Sequence, residues 1–381
     1  MPDYFATCPR GLEKLLSDEL ASFGANAVKA TDGGVGFSGD WPTCYRINLQ
    51  SRLASRILWR VQAPTPYRNE QDVYKATYDL PWTRWFDVKH TILVKVTAIK
   101  SPLTSLEFIT LKIKDAVCDK FRAEKKERPS VAKLEPDMRI HAFFEGDKFT
   151  LYLDTSGEAL YKRGVRTHTN IAPLRENLAA GILMMTGWQP GIPLLDPMCG
   201  SGTFLIEAAQ MSLNIQPGIA RHFAFEKLKN FDAKTWEAMR EAAIAAQKPV
   251  CELPLHGSDL YGDALVAAHQ NLEEAGIRET VDLKQCNALE ASPPEKTGIL
   301  VANLPYGERM GDEDELAELY PKLGDALKKK FGGWNAYLFT GDLRIAKLMR
   351  LTPSKRTPLF NGAIECRLFE YKIVAGSNRP R

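Results

Sequence analysis

The sequence predicts an α/β protein that ends in a doubly wound, mostly parallel sheet closed by an antiparallel hairpin. Three observations predict this fold class. The chain has 381 residues, which at roughly 100 to 200 residues per domain corresponds to two or three domains. From Ala172 onward, strand patterns alternate with helical patterns, which is typical of a parallel sheet with helices on both faces. Near the end, Asn361 and Gly362 separate two apolar runs and predict a hairpin.

The first 157 residues predict two smaller α/β units. Apolar residues at helical spacing or in strict alternation define their elements. The turn Glu145-Gly146-Asp147 separates two strands that we expect to pair. The predicted strands cover residues 33–37, 91–99, 139–144 and 148–154, and the predicted helices cover 12–23, 79–85 and 106–122.

The second part predicts the strands of the doubly wound sheet. They are bounded by glycine, proline and polar residues, and they cover 192–196, 255–259, 281–285, 298–302, 334–341, 355–362 and 364–374. A helix is predicted to begin near Thr203 and another covers 263–275. The partly charged stretch 220–248 interrupts the alternation and is interpreted as a helical insertion.

Composition excludes several classes of protein. Hydrophobic residues make up 44% and charged residues 25% of the chain, as in soluble globular proteins. The longest apolar stretch, near Leu178 to Met185, is far shorter than the roughly 18 residues that a membrane span needs. Seven scattered cysteines without a CxxC pair indicate reduced thiols and no metal site. We therefore expect a cytoplasmic protein that does not enter a membrane.

Charge is distributed unevenly along the chain. The residues up to Asn170 include 26 basic and 21 acidic side chains, whereas the remainder includes 24 basic and 26 acidic ones. The segment from Lys112 to Lys133 alone carries eight basic and four acidic residues. Such a segment is commonly a solvated helix face, but it also fits contact with a polyanion.

A glycine loop between a strand and a helix is the most informative motif. Residues Asp196-Pro197-Met198-Cys199-Gly200-Ser201-Gly202-Thr203 follow an apolar strand and open the helix near Thr203. The glycines let backbone approach a ligand, and a helix N-terminus offers free N–H groups. A plain βα turn is the alternative interpretation. The loop lacks the Gly-Lys-Ser/Thr of a Walker motif and the third glycine of the dinucleotide fingerprint.

Two polar positions follow the next strands of the predicted sheet. Asp259 ends the strand 255–259, where a carboxylate could accept hydrogen bonds from ribose hydroxyls. Capping of the following helix by Asp259 or Asp263 is the competing interpretation. Asn287 follows the strand 281–285 and could meet an adenine edge.

The tetrapeptide Asn303-Leu304-Pro305-Tyr306 follows the strand 298–302, at the edge where doubly wound sheets bind ligands. The carboxamide of Asn303 and a nearby backbone carbonyl could hold the protons of an exocyclic amine and so orient its lone pair. Tyr306 could stack on a base that has left its helix. In isolation, the same residues would be an ordinary Asn-Pro turn with a packing tyrosine.

Together these motifs resemble a known family. The loop at 196–203, Asp259 and residues 303–306 look like motifs I, II and IV of class I S-adenosylmethionine-dependent methyltransferases that modify exocyclic amines. Tyr161-Lys162-Arg163-Gly164, the segment 172–179 and the segment 359–367 resemble ribosomal RNA guanine-N2 methyltransferases with an N-terminal THUMP domain, a family also labelled N6-adenine-specific DNA methylase. The resemblance covers practically the whole chain.

The resemblance implies the domain organisation. It implies a ferredoxin-like α+β domain at 1–57, a THUMP RNA-binding domain at 58–157 and a Rossmann-like methyltransferase domain with a seven-stranded sheet at 158–381. S-adenosylmethionine is the implied cofactor and S-adenosylhomocysteine the product. The implied partner is 23S ribosomal RNA, with no DNA expected.

The resemblance also implies roles for individual residues. The implied cofactor residues are Asp196, Cys199, Gly200, Ser201, Gly202, Thr203, Asp259 and Asn287. The target base is assigned to Asn303, Pro305 and Tyr306. The predicted RNA contacts are Lys112, Lys125, Lys126, Arg128, Lys162 and Arg163, and no metal is expected.

Two positions depart from the family pattern. Leu304 replaces the family's first proline, which predicts a less rigid loop. Asn287 stands where relatives commonly have Asp near the adenine amine. Cys199, Cys286 and Cys366 are interpreted as structural, because an Asn-x-Pro-Tyr loop does not use a thiol adduct.

The function expected from these residues is methyl transfer to guanine N2 in 23S ribosomal RNA by direct in-line displacement. Three alternatives stay open: a tRNA guanine-N2 methyltransferase, a DNA adenine-N6 methyltransferase, and a noncatalytic RNA-binding assembly factor that retains a cofactor pocket. The RNA-type N-terminal module argues against DNA, and cofactor turnover distinguishes an enzyme from an assembly factor.

Overall fold

Two seven-stranded sheets organise the chain in the computed structural model, which describes residues 1–163, 174–306 and 313–374. Each sheet lies in one of two compact units. The first unit comprises Met1–Cys8, Leu16–Leu160 and Ala220–Ala242, and the second comprises Pro9–Leu15, Tyr161–Ile219 and Ala243–Arg381. Each unit therefore includes a short segment that is distant in sequence from the rest of that unit.

One continuous sheet spans the first unit. Its strands are β1 (Asp3–Thr7), β2 (Asn26–Thr31), β3 (Gly34–Ser38), β4 (Arg56–Pro66), β5 (Ile92–Ile99), β6 (Met138–Glu145) and β7 (Lys148–Asp154). The order across the sheet is β2-β3-β1-β4-β7-β6-β5. Strand β4 pairs antiparallel with β1 on one side and with β7 on the other. The predicted division between residues 57 and 58 thus falls inside a strand that both N-terminal domains use.

The first unit has five α-helices before Lys126, and three of them begin at a side-chain cap. The five helices are α1 (Glu13–Ser22), α2 (Trp41–Gln50), α3 (Glu70–Tyr78), α4 (Trp82–Trp85) and α5 (Leu106–Lys125). Asp40 accepts a hydrogen bond from the Thr43 N–H at 2.8 Å, and Ser105 accepts one from Phe108 at 3.1 Å. Such side chains satisfy backbone N–H groups that the first helical turn leaves unpaired. The predicted helix at 106–122 is confirmed and extends to Lys125.

The second sheet confirms the predicted doubly wound architecture. Its strands are β8 (Leu194–Asp196), β9 (Leu255–Asp259), β10 (Asp282–Gln285), β11 (Gly298–Asn303), β12 (Trp334–Thr340), β13 (Lys355–Asn361) and β14 (Ile364–Lys372), in the order β10-β9-β8-β11-β12-β14-β13. The first five strands in this order run parallel. Strand β14 pairs antiparallel with both β12 and β13.

The second unit places its helices between these strands. They are α6 (Glu176–Met185), α7 (Thr203–Ser212), α9 (Gly262–Glu274), α10 (Glu313–Lys330) and α11 (Ile345–Leu348). Nine of the ten residues of α7 are buried, so the helix that follows the glycine loop is held on nearly all sides. Strands β9 and β10 extend the sheet on one side of β8, and β11 and β12 extend it on the other. Doubly wound sheets form a ligand crevice where the strand order reverses in this way.

Two exchanged segments tie distant parts of the sequence together within each unit. Leu12 is fully buried in the second unit and packs against Gly181 of α6. A Cβ added at Gly181 would lie only 2.6 Å from a side-chain carbon of Leu12. The segment 220–242, which is part of the stretch interpreted as a helical insertion, packs in the first unit. It includes the beginning of α8 (Ala233–Ala245).

Aromatic stacking explains why segment 220–242 belongs to the first unit. Phe225 is fully buried and stacks on Tyr45 of α2 with ring centroids 4.5 Å apart. Trp236 meets the Phe225 ring edge-on at 5.0 Å, and the Asp232 N–H donates to the Tyr45 hydroxyl at 3.1 Å. Buried aromatic pairs contribute beyond their apolar area, so removal of the segment would expose a large apolar surface of α2.

Among the described residues, no helix is long and apolar enough to cross a membrane.

Phe225→Ala tests this aromatic anchor. We expect the free energy of unfolding of the first unit to fall by about 3 to 5 kcal/mol, because a buried ring is lost and a cavity is left. Denaturant titration followed by tryptophan fluorescence measures the change. Phe108→Ala is the control, because that ring is 47% exposed. Equal stability of the two variants would contradict the anchoring role.

Candidate active site

The glycine loop rests directly on the end of the neighbouring strand β9. The Gly200 N–H donates to Asp259 Oδ2 at 2.8 Å, and the Cys199 N–H donates to the Ser258 carbonyl at 2.9 Å. The structure therefore brings the two sequence motifs together at the carboxyl ends of β8 and β9.

The backbone of this loop requires its glycines. Gly200 has φ of 53° and Gly202 has φ of 83°, a region that residues with a Cβ rarely adopt. The Gly202 N–H closes the turn by donating to the Cys199 carbonyl at 2.8 Å. A Cβ on Gly202 would lie 3.4 Å from the Cβ of Ala268. Gly202 is followed at once by Thr203, the first residue of α7.

Asn271 supports the glycine loop, and the sequence analysis did not identify it as a site residue. Its Nδ2 group donates to the Ser201 carbonyl at 3.1 Å, and its side chain is fully buried on α9. The available signal was a polar residue among the apolar positions Ala264, Leu265, Ala268 and Leu272 of one helix face. A buried amide on such a face must find hydrogen-bond partners.

Burial determines the electrostatics at the start of the loop. Asp196 is 2% exposed and accepts a hydrogen bond from the Met198 N–H at 3.1 Å. Burial, with a further contribution from Asp259, raises the pKa of Asp196 well above its usual range. Burial also raises the pKa of Cys199, and the nearby carboxylates add to this rise. Cys199 is therefore held as a neutral thiol, which disfavours a nucleophilic role.

Asp259 organises the far side of the loop. Its Oδ1 accepts the Tyr261 N–H at 3.0 Å, while Oδ2 accepts the Gly200 N–H. The next two side chains are large and exposed, Leu260 at 51% and Tyr261 at 66%. They form an apolar surface beside the carboxylate that the sequence analysis did not single out. The signal was two apolar residues directly after an acidic strand end.

Asn287 lies on a loop attached to the same strand end. The Cys286 N–H donates to the Asp259 carbonyl at 3.0 Å, and the Asn287 Oδ1 accepts the Leu289 N–H at 2.9 Å. The side-chain oxygen thus stabilises its own turn, leaving the Nδ2 group as the hydrogen-bonding end of the residue. A role toward an adenine edge stays a prediction.

Asn303 is the last residue of β11, and its side-chain oxygen has an unusual environment. Its Oδ1 atom is buried and has no hydrogen-bond partner among the described residues. A buried acceptor without a partner costs free energy. Such an atom at the carboxyl edge of the sheet is suited to accept a hydrogen bond from an N–H group of a ligand.

Leu304 anchors the loop that follows. Its N–H donates to the Phe339 carbonyl at 2.9 Å, which a proline could not do. The side chain is fully buried in a core that includes Tyr320, Leu323 and Leu338. The expectation of a less rigid loop stays a prediction, although one hydrogen bond and one core side chain hold Leu304 where the family pattern has a proline.

Tyr306 is packed more tightly than a free stacking platform would be. It is 6% exposed, and its hydroxyl accepts a hydrogen bond from Asn361 Nδ2 at 3.0 Å. Its ring meets Phe339 edge-on at 6.1 Å and leaves no room for a side chain on Gly341. In this conformation Phe339 and Asn361 both contact Tyr306, and stacking of its ring on a base stays a prediction.

The predicted RNA contacts fall into two groups. Lys125, Lys126 and Arg128 are exposed around the end of α5, and Lys112 lies on the same helix with its Nζ 5.4 Å from the Phe108 ring centroid. Lys162 is also exposed. These positions are compatible with phosphate contacts.

Arg163 does not fit such a contact. Its side chain is 2% exposed, and its Nε donates to Glu207 Oε1 on α7 at 3.1 Å. The prediction of an RNA contact at Arg163 is contradicted, because a buried guanidinium paired with a buried carboxylate is not available to phosphate. Gly164, Ala172 and Pro173 of the family-like junction lie outside the described residues.

The strand order, the glycine loop and the acidic strand end define a class I methyltransferase fold. Residues 163–370 match the family described as RMKL-like, methyltransferase domain. Residues 3–58 match the RlmL ferredoxin-like domain, and residues 67–154 match the THUMP domain. The chain belongs to the RMKL-like methyltransferase family.

Curated and solved proteins agree with this assignment. The chain is 39% identical to the ribosomal RNA large subunit methyltransferase K/L of Shewanella sp. (strain ANA-3), over all of this chain and 54% of that protein. The chain thus spans about half the length of the curated relatives it matches. A possible methylase from Clostridium difficile 630 is 30% identical with a TM-score of 0.88, over 100% of this chain and 99% of the other. SMU.472, solved in complex with SAH, is 29% identical with the same TM-score and coverage.

Arg163→Met tests the buried ion pair. Removal of one partner leaves the Glu207 carboxylate buried without this cation, so we expect the free energy of unfolding of the second unit to fall by about 3 to 5 kcal/mol. Thermal or urea unfolding measures the change. Lys162→Met is the matched control at an exposed neighbouring position, and we expect it to leave stability within about 0.5 kcal/mol. A similar small effect at Arg163 would show that the pair does not stabilise α7.

Proposed function

We propose that this chain transfers the methyl group of S-adenosylmethionine to N2 of a guanine in large-subunit ribosomal RNA. The observation that carries the proposal is the buried Oδ1 of Asn303, which has no hydrogen-bond partner among the described residues and lies at the same sheet edge as the glycine loop. An exocyclic amine is a ligand that such an acceptor can bind, since it has two N–H donors. Family membership supports methyl transfer, and the names of the curated relatives support ribosomal RNA as the substrate.

The residues of the glycine loop fit the proposed cofactor. The positive φ angles of Gly200 and Gly202 let the backbone approach a ligand, and the start of α7 provides unpaired N–H groups for a carboxylate. Each Asp259 oxygen accepts one backbone N–H and has a further lone pair for a ribose hydroxyl. The exposed side chains of Leu260 and Tyr261 provide apolar contact for an adenine. SAH, found with SMU.472, is the product form of this cofactor.

Asp196 adds an electrostatic contribution. Its carboxyl group is buried, and this burial raises its pKa, so ionisation of Asp196 costs more free energy than in water. A positively charged ligand group in the loop would favour the ionised form. We propose that Asp196 supports the loop through Met198 in either state and adds attraction for a cation when ionised.

The chemistry requires mainly positioning. When bound, S-adenosylmethionine supplies a methyl group on a sulfonium that is already activated for displacement. Asn303 would hold one amine proton and orient the nitrogen lone pair toward that methyl group, while Pro305 shapes the turn. The glycine loop and Asp259 would hold the cofactor so that the amine nitrogen forms the new N–C bond as the S–C bond breaks. The bonding pair would stay on sulfur, and the amine would lose one proton to solvent. Orientation of this kind can supply much of a rate enhancement.

The packing of Leu304 also bears on the noncatalytic alternative. That alternative gained support from a loop expected to be loose. Because Leu304 is bonded to Phe339 and buried in the core, the loop has the definition that positioning of an amine requires. The geometry therefore favours an enzyme over an assembly factor with a retained pocket.

Gly202→Val tests the cofactor site. A Cβ at this position faces Ala268 at 3.4 Å, and a branched residue cannot easily adopt φ of 83°. We expect S-adenosylmethionine binding, measured by isothermal titration, to be abolished. Gly276→Val is the matched control: Gly276 also has positive φ, at 67°, but a Cβ added there would have no atom within 4 Å. Equal affinity of the two variants would refute the assignment of the loop.

Asn303→Ala tests the acceptor. We expect the single-turnover methylation rate on a ribosomal RNA fragment to fall by about 100- to 1,000-fold, with cofactor and RNA affinities little changed, because the interaction is strongest in the transition state. Asn335→Ala, an exposed Asn on the neighbouring strand β12, is the control. Nucleoside mass spectrometry of the product identifies the methylated atom. A wild-type rate in Asn303→Ala, or methylation of adenine N6, would reject the proposal.

A further inference from the structure

We infer that an open cavity between α3 and α5 of the first unit binds an unpaired nucleobase of RNA. The cavity has a volume of about 450 Å³ and is lined by Tyr74, Tyr78, Asp119, Arg122 and Ala123. This volume lies within the range of small-molecule sites, roughly 300 to 1,000 Å³. The inference rests on the proposed function and adds where the RNA would be held away from the reacting base.

Two tyrosines give the cavity an aromatic wall. Tyr74 and Tyr78 are one helical turn apart on α3, and their rings stack with centroids 6.1 Å apart and an interplanar angle of 16°. The centroid separation leaves no space for a base between them, so a base would stack on an outer ring face. The ammonium of Lys120 lies 5.2 Å from the Tyr78 ring centroid and helps to hold that ring.

One carboxylate orients the polar part of the cavity. Asp119 Oδ2 accepts the Tyr74 hydroxyl at 2.9 Å, and Oδ1 accepts Arg122 Nη1 at 2.7 Å. The position of the ring and that of the guanidinium are therefore coupled through Asp119. Burial, followed by the effect of Asp119, raises the pKa of Tyr74 to about 12, so its hydroxyl stays a neutral donor.

The chemistry of this lining favours a base over a phosphate. Asp119 and Arg122 form a neutral pair that offers hydrogen-bond acceptors beside donors, and the Watson–Crick edge of a base presents the complementary groups. A phosphate would meet the Asp119 carboxylate unfavourably. Lys125, Lys126 and Arg128 lie just beyond Ala123 along the chain and are exposed, where they could contact the adjoining phosphates. Aromatic stacking together with basic residues is typical of single-strand recognition.

The experiment compares two RNAs of equal length and charge. One is a stem closed by a single-stranded loop, and the other is a duplex with the same total number of nucleotides, all of them paired. The full chain is titrated with each RNA by fluorescence anisotropy at fixed salt. We expect Tyr78→Leu to weaken binding of the loop RNA by about 5- to 100-fold, the range for loss of one stacked base, and to leave duplex affinity unchanged. Arg122→Gln, at a side chain that is 56% exposed, should reduce the same preference without affecting folding.

Two controls separate the cavity from its surroundings. Phe108→Leu changes an exposed aromatic residue of α5 that also has a lysine over its ring but does not line the cavity, and it should leave both affinities unchanged. The double variant Lys125→Ala/Lys126→Ala should weaken the binding of both RNAs to the same extent. Equal effects of Tyr78→Leu and Arg122→Gln on both RNAs, or no effect on either, would overturn the inference.

The experiment distinguishes failure of the cavity assignment from failure of the proposed function. If the wild-type chain prefers the loop RNA through Tyr78 but methylates no guanine, the proposed function fails and the cavity assignment stands. If it methylates guanine while the cavity variants keep their preference for the loop RNA, the cavity assignment fails and the proposed function stands.

Discussion

The hydrogen bond from the Gly200 N–H to the Asp259 carboxylate is the contact on which the candidate site depends. It joins the loop after one strand to the end of the next at 2.8 Å, while Asn271 holds the adjoining Ser201 carbonyl from α9. With both contacts made, α7 starts at a defined point and Asp196 is enclosed behind the loop. The parallel pairing of β8 with β9 makes this possible, because it brings the carboxyl ends of the two strands together.

The sequence predicted the second unit well because its signals are local. Each parallel strand is an apolar run, and the residue that ends it is the residue that faces the crevice, so Asp196, Asp259 and Asn303 could be placed from spacing alone. The first unit was harder. Strand β2 is an edge strand with mostly exposed residues, which gives no alternation, and β4 runs through the boundary between domains that the family resemblance implies.

The sequence could not predict the surroundings of side chains whose neighbours come from distant sequence. Tyr306 follows a recognisable Asn-x-Pro, but its ring is covered by Phe339 and its hydroxyl is bonded to Asn361. Arg163 follows Lys162 in a basic dipeptide, yet only the burial of Glu207 on α7 determines where its guanidinium lies. Periodicity does not reveal such pairs. Segment 220–242 shows the same limit, because its aromatic residues indicate burial without indicating which surface they cover.

The exchanged segments impose an order on synthesis. The chain leaves the first unit after Leu160, but that unit also requires Ala220–Ala242 to cover Tyr45. At roughly 5 to 20 residues per second on the ribosome, translation from residue 161 to the end of that segment at Ala242 takes about 4 to 16 s. During that interval the aromatic surface of α2 is without its cover, and Leu12 awaits the helix that contains Gly181. The nascent chain therefore passes through a stage in which it is a natural client of chaperones.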